Sequence, residues 1–76
     1  MDLKKFIEYF AEQFEDVEAV EFKAETNFRD FSEWSSLTAL SIIAMVDEEY
    51  EVELKGDDIR SANTVQDIYD IVKGKL

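Results

Sequence analysis

Apolar residues recur at steps of three and four at the start of the chain, at Leu3, Phe6, Ile7, Phe10, Ala11 and Phe14, with acids and lysines between them. This spacing predicts an amphipathic helix with one face on a core, and Asp2 is placed to cap it. From Asp16 to Trp34 the pattern dissolves into single apolar residues (Val17, Val20, Phe22, Phe28, Phe31) among polar ones, which reads as a long loop pinned by aromatics. The alternation over 19–22 suggests a strand but has no partner of similar pattern, so it too reads as loop. Ser35 to Tyr50 forms the next helix, and its stretch Ala39–Val46 is apolar except for Ser41, so it needs cover on more than one side.

Residues 51–55 alternate as an extended segment, Gly56 breaks the chain, and Asp57 can cap a short helical turn through Ile59 and Arg60. Thr64-Val65-Gln66-Asp67 has the form of a capping box, after which Val65, Ile68, Tyr69, Val72 and Leu76 follow helical spacing past Gly74. The expected fold is all-α: a small four-helix bundle of three main helices and one short one, with a long first loop. No repeat, proline-rich linker or low-complexity segment divides residues 1–76, which read as one domain.

Composition narrows what such a bundle can do. Nineteen acidic against eight basic residues give a net charge of -11, which repels nucleic acid and anionic membranes and favours partners with basic surfaces. The chain has no cysteine, which removes disulfides and thiolate metal sites. With no apolar leader and no long apolar run, the reading is a cytoplasmic protein that does not insert into membranes. The absence of histidine removes the commonest general base. An enzyme would have to rely on carboxylates, Lys or Tyr, and acid pairs such as Asp57-Asp58 and Asp47-Glu48 read as a solvated acidic face. No calcium-loop pattern occurs, and no catalytic or metal-binding residue is assigned.

The informative stretch is Phe28 to Leu37, which ends in Trp34-Ser35-Ser36-Leu37 and runs directly into the apolar helix. On spacing alone, a serine before an apolar run is an N-cap. In its wider register, however, the segment resembles the acyl carrier protein family, whose modified serine lies in an Asp-Ser-Leu motif at this junction, often after Trp. Trp34, Ser36 and Leu37 match, while Ser35 stands where the family has Asp. Leu40, Ile43 and Val46 fall on core-like positions, Glu48-Glu49-Tyr50 resembles the acid-acid-aromatic end of the family's helix, and Thr64-Val65 opens the last helix as a similar pair does there.

The resemblance implies a free-standing, non-catalytic carrier with 4'-phosphopantetheine, derived from coenzyme A, attached to Ser36, and Ser35 left to cap the helix. It implies as partners a phosphopantetheinyl transferase and acyl-loading or acyl-processing enzymes of fatty-acid, polyketide or related biosynthesis, with basic docking surfaces, and a monomeric state. Leu37, Met45, Asp47 and Glu48 are the expected partner contacts, with Leu37 on the surface and Leu40 in the core. The family's acids early in this helix are replaced by Ser35, Thr38 and Ser41, which shifts the expected docking toward the helix's far half. The alternatives are an acidic protein-protein interaction module, which Ser36→Ala would leave fully active, or a degenerate carrier that has lost modification.

Overall fold

The computed structural model describes residues 1–15 and 17–76; Asp16, where the expected loop begins, lies outside the described residues. Among the described residues four α-helices follow in order: α1 (Leu3–Ala11), α2 (Ser36–Tyr50), α3 (Gly56–Arg60) and α4 (Val65–Lys75). Among the described residues of the long connection between α1 and α2 lie two 3-10 turns, Ala19–Glu21 and Phe28–Asp30. Among the described residues there is no strand, only an isolated antiparallel bridge between Asn27 and Thr64.

Asp2 caps α1, its carboxylate accepting the amides of Lys4 at 2.9 Å and Lys5 at 3.4 Å. The helix stops at Ala11, earlier than the apolar spacing predicts. Phe14 still reaches the core because the chain turns on hydrogen bonds from Gln13 to the Phe10 carbonyl and from Phe14 to the Ala11 carbonyl. At the end of α2, Glu51 adopts φ 55°, the left-handed conformation that turns the chain out of a helix, and its amide returns to the Asp47 carbonyl at 3.0 Å. The chain then runs extended and buries Val52 and Leu54 on alternate positions, as the sequence pattern predicts.

The start of α3 differs from expectation. Gly56 is its first residue rather than a break before it, and the N-cap is Lys55, not Asp57. Asp58 decides the boundary, because its carboxylate accepts the Lys55 amide at 2.9 Å from the third helical position. In α4 the capping box forms as read: Thr64 Oγ1 accepts the Asp67 amide at 3.1 Å, while Asp67 Oδ2 accepts the amides of Thr64 and Asn63. Those two backbone donors hold the Asp67 carboxyl below the usual carboxylate range.

The core is largely aromatic. Phe6, Phe10 and Phe28 are fully buried, together with Ile42, Val46, Val65, Ile68 and Val72. Phe10 contacts Phe6, Phe14, Phe22 and Phe28 at centroid separations of 5.7–6.1 Å, so one side chain of α1 ties the helix to the first loop. The loop is fastened to α4 as well, through the Val65 amide to the Thr26 carbonyl (3.1 Å) and the Gln66 amide to the Ala24 carbonyl (2.8 Å). Both amides belong to the first turn of α4, where a helix has no acceptors of its own, so the loop satisfies donors that would otherwise need water. This backbone pairing, with the buried aromatics, fixes the path by which the loop delivers residues 34–36 to the start of α2.

Candidate functional site

Trp34 ends the loop half-buried, 4.6 Å from the Phe28 ring and stacked at 6.1 Å on Phe14. Ser35 follows in extended conformation as the N-cap of α2, its Oγ accepting the Thr38 amide at 3.3 Å. Ser36 is the first helical residue and is exposed, and among the described residues its hydroxyl has no hydrogen-bond partner. The two adjacent serines therefore have different surroundings: one closes the helix, and the other faces solvent with its hydroxyl uncommitted.

The electrostatics at this point favour an anion. The amides of Ser36 and Leu37 precede the first intrahelical bond, and no acid occupies the first turn of α2 to offset the positive end of the helix. At an exposed site this effect contributes about 0.3–1 kcal/mol for a negative group. Alongside lies a cavity of about 440 Å³ between α2 and α3, lined in part by Trp34, Ser36, Leu40, Ile43 and Ile59.

The remaining residues singled out in the sequence divide between surface and core. Leu37 is 76% exposed, one position beyond Ser36. Leu40, expected in the core, is 61% exposed and borders the cavity. Met45, expected at the partner surface, is only 6% exposed: it lies on the α2 face with Thr38, Ile42 and Val46 that packs inward, and is therefore a packing residue. Asp47 and Glu48 are exposed near the C-terminal end of α2, and Glu48 borders a groove between α1 and α2 with Tyr9, Glu12 and Glu49. Tyr50 closes this end of the helix, its hydroxyl pKa raised first by burial and then by Tyr9 and the carboxylates of Glu49 and Asp2.

Two contributors escaped the sequence reading. Thr38 is the one buried polar side chain among the described residues, and its Oγ1 donates to the Glu33 carbonyl at 2.8 Å, holding the turn before Ser36. The available signal was its three-residue spacing from Ser35. Arg29 spans from the loop to the far end of α3, where its Nε donates to the Ala62 carbonyl and its Nη2 to those of Ile59 and Arg60. These partners lie 30 to 33 residues away, beyond any local pattern.

The profile of the phosphopantetheine attachment site family matches residues 4–72. The match spans most of the 76 residues, and the chain belongs to that family. It is thus a phosphopantetheine-carrying domain: such domains hold 4'-phosphopantetheine covalently, are non-catalytic, and interact with a phosphopantetheinyl transferase and with biosynthetic enzymes. No curated protein and no solved structure gives a significant match. The start of α2 fits such a group, since it combines an uncommitted exposed hydroxyl, two free amides, no first-turn carboxylate and an adjoining cavity. Among the described residues no helix is long and apolar enough to cross a membrane, and no cluster of three potential metal ligands occurs.

Proposed function

We propose that this protein is an acyl carrier whose Ser36 bears the 4'-phosphopantetheine arm, and that it presents acyl intermediates as thioesters to enzymes of fatty-acid, polyketide or related biosynthesis. The observation that carries the assignment is the division of labour between Ser35 and Ser36. Because Ser35 caps α2, Ser36 is spared from structural duty, and its hydroxyl stands open at the end of the loop where a transferase can reach it. Modification joins Ser36 Oγ to phosphorus and breaks the pyrophosphate bond of coenzyme A, releasing 3',5'-adenosine bisphosphate, with the hydroxyl proton passing to a base of the transferase. The bound arm supplies the thiol that this cysteine-free chain lacks.

The chain's own residues place and present the attachment point. Trp34, wedged against Phe28 and Phe14, anchors the loop end, and Thr38 ties the first turn of α2 to Glu33. Leu37 offers apolar surface beside the arm, while Asp47 and Glu48 offer negative charge to a basic partner. A net charge of -11 opposes self-association, which supports a monomer. The same reading places the protein in the cytoplasm.

The test is intact-protein mass spectrometry after incubation with coenzyme A and a broad-specificity phosphopantetheinyl transferase. One phosphopantetheine is expected on the wild type and on Ser35→Ala, and none on Ser36→Ala. Failure of the wild type to gain mass, with a transferase that modifies a control carrier, would overturn the assignment in favour of an unmodified acidic binding module.

A further inference from the structure

Arg29 is an unusual charge in this molecule. Nineteen acids outnumber eight bases, yet the ion pairs among the described residues are Arg60 with Asp57 and Lys75 with Asp58, and Arg29 has no carboxylate partner. Its Nε and Nη2 donate to three neutral carbonyl oxygens, at 3.2 Å to Ala62, 2.7 Å to Ile59 and 3.3 Å to Arg60, so its charge is fixed in place but not compensated. The guanidinium carbon lies 5.4 Å from the Phe28 ring centroid and 6.0 Å from that of Trp34, aromatic support that further limits its movement. Nη1 has no hydrogen-bond partner among the described residues.

This held cation borders the same cavity as Ser36. The second arginine of the chain, Arg60, borders it too, with Nη1 3.6 Å from the position that a Cβ on Gly56 would take. Arg60 is the weaker candidate for a ligand, because it is paired with Asp57 in solvent, where such pairs contribute little and the charge is already offset. A guanidinium with spare N–H donors, immobilised beside a cavity whose lining mixes apolar side chains with Ser35 and Ser36, is suited to an oxyanion.

Resting on the carrier reading of Ser36, we propose that Arg29 is an anion-binding residue of the loaded protein, taking through Nη1 either the phosphodiester of the arm or a carboxylate on the acyl cargo. Both sources present the same chemistry, a negatively charged oxygen tethered to Ser36. Arg29 thus does more than pin the end of α3: it keeps a positive charge with no carboxylate partner on the cavity beside the arm, in a chain of net charge -11.

Side-chain Nε–Hε resonances report on the guanidinium that carries Nη1 by nitrogen-15 NMR, because the chain has two arginines and Arg60→Gln distinguishes them. Spectra are compared for the unmodified protein, the protein carrying the arm, and that protein loaded with acetyl or with malonyl, each sample first checked by mass. If the phosphodiester is the ligand, the Arg29 resonance moves by more than its line width on arm attachment and is the same for acetyl and malonyl. If the cargo carboxylate is the ligand, it moves with malonyl and not with acetyl. An Arg29 resonance unmoved in every loaded form, with the arm's mass present, overturns the proposal. A chain that takes no arm overturns the carrier reading and this inference with it. Arg29→Gln and, as a control of equal charge change on α1, Lys4→Gln are compared by phosphorus-31 NMR. In the phosphodiester case only Arg29→Gln displaces the signal, and equal displacement by both assigns the effect to net charge and overturns that case.

Discussion

Ser35 and Thr38 are joined twice at the start of α2: Ser35 Oγ accepts the Thr38 amide at 3.3 Å, and the two hydroxyl oxygens lie 3.2 Å apart. Since the Thr38 hydroxyl proton is committed to the Glu33 carbonyl, Ser35 is the donor in the second contact. Amide, hydroxyl, hydroxyl and carbonyl form one relay that fixes the helix start from residue 33 to residue 38.

The relay makes adjacent serines unequal in stability. Ser35→Ala is expected to cost about 1 kcal/mol, as loss of an N-cap does. Ser36→Ala, with no bond to lose, is expected to stay within about 0.5 kcal/mol of wild type. Urea unfolding of both unmodified variants checks the order, and a larger loss at Ser36 would contradict the assignment of the cap.

Docking is expected to depend on the C-terminal half of α2. Charge reversal Glu48→Lys should weaken binding to a basic partner enzyme by on the order of tenfold at low salt, with the difference shrinking as salt is raised. Glu33→Lys should have the smaller effect. Affinities measured by calorimetry at two ionic strengths decide it, and equal losses would sink the preference for the helix's far half.

Asp67 gives the fold an acid-sensitive element. Its folded pKa lies below the ordinary 3.8 because the Asn63 and Thr64 amides favour the carboxylate. In the unfolded chain the proton therefore binds more readily. The stabilisation is fully present above the unfolded value and is lost as pH falls through the lower folded value. Asp67→Asn should lower stability by about 1 kcal/mol at neutral pH and flatten its decline below pH 4, as read by denaturant midpoints across that range.

Glu51 occupies a backbone conformation suited to glycine, with φ 55°. The left-handed region costs an ordinary residue roughly 1–2 kcal/mol. Part of this returns on substitution by glycine, less the extra freedom glycine has when unfolded. Glu51→Gly should raise stability by about 0.5–1 kcal/mol, with a higher midpoint in urea at unchanged slope. A destabilised variant would mean that the Glu51 side chain contributes more than its backbone strain removes.

Local signals carried much of this fold. Asp2, Thr64 and Asp67 mark helix starts because a cap acts over three residues, and the apolar steps in α1 and α4 name the buried faces. In α2 they fail, since an almost continuous apolar run leaves the helix's rotation to its neighbours: Met45 turns inward and Leu40 outward. The beginning of α3 departs from its local pattern for a different reason, because the deciding acceptor, Asp58, sits inside the helix. Register against the chain that follows singles out Ser36 as the candidate serine. Nothing local singles out Arg29, because its partners are brought to it only by the folded path of the loop.

The placement of Trp34 has a practical outcome. It is the chain's one tryptophan, one side of its ring touches the buried phenylalanines, and it borders the cavity beside Ser36. A single native fluorophore thus sits between the core and the proposed attachment point, so its emission is expected to respond both to unfolding and to an arm on Ser36. Arm transfer to Ser36 would then be followed in real time without a dye or an added label.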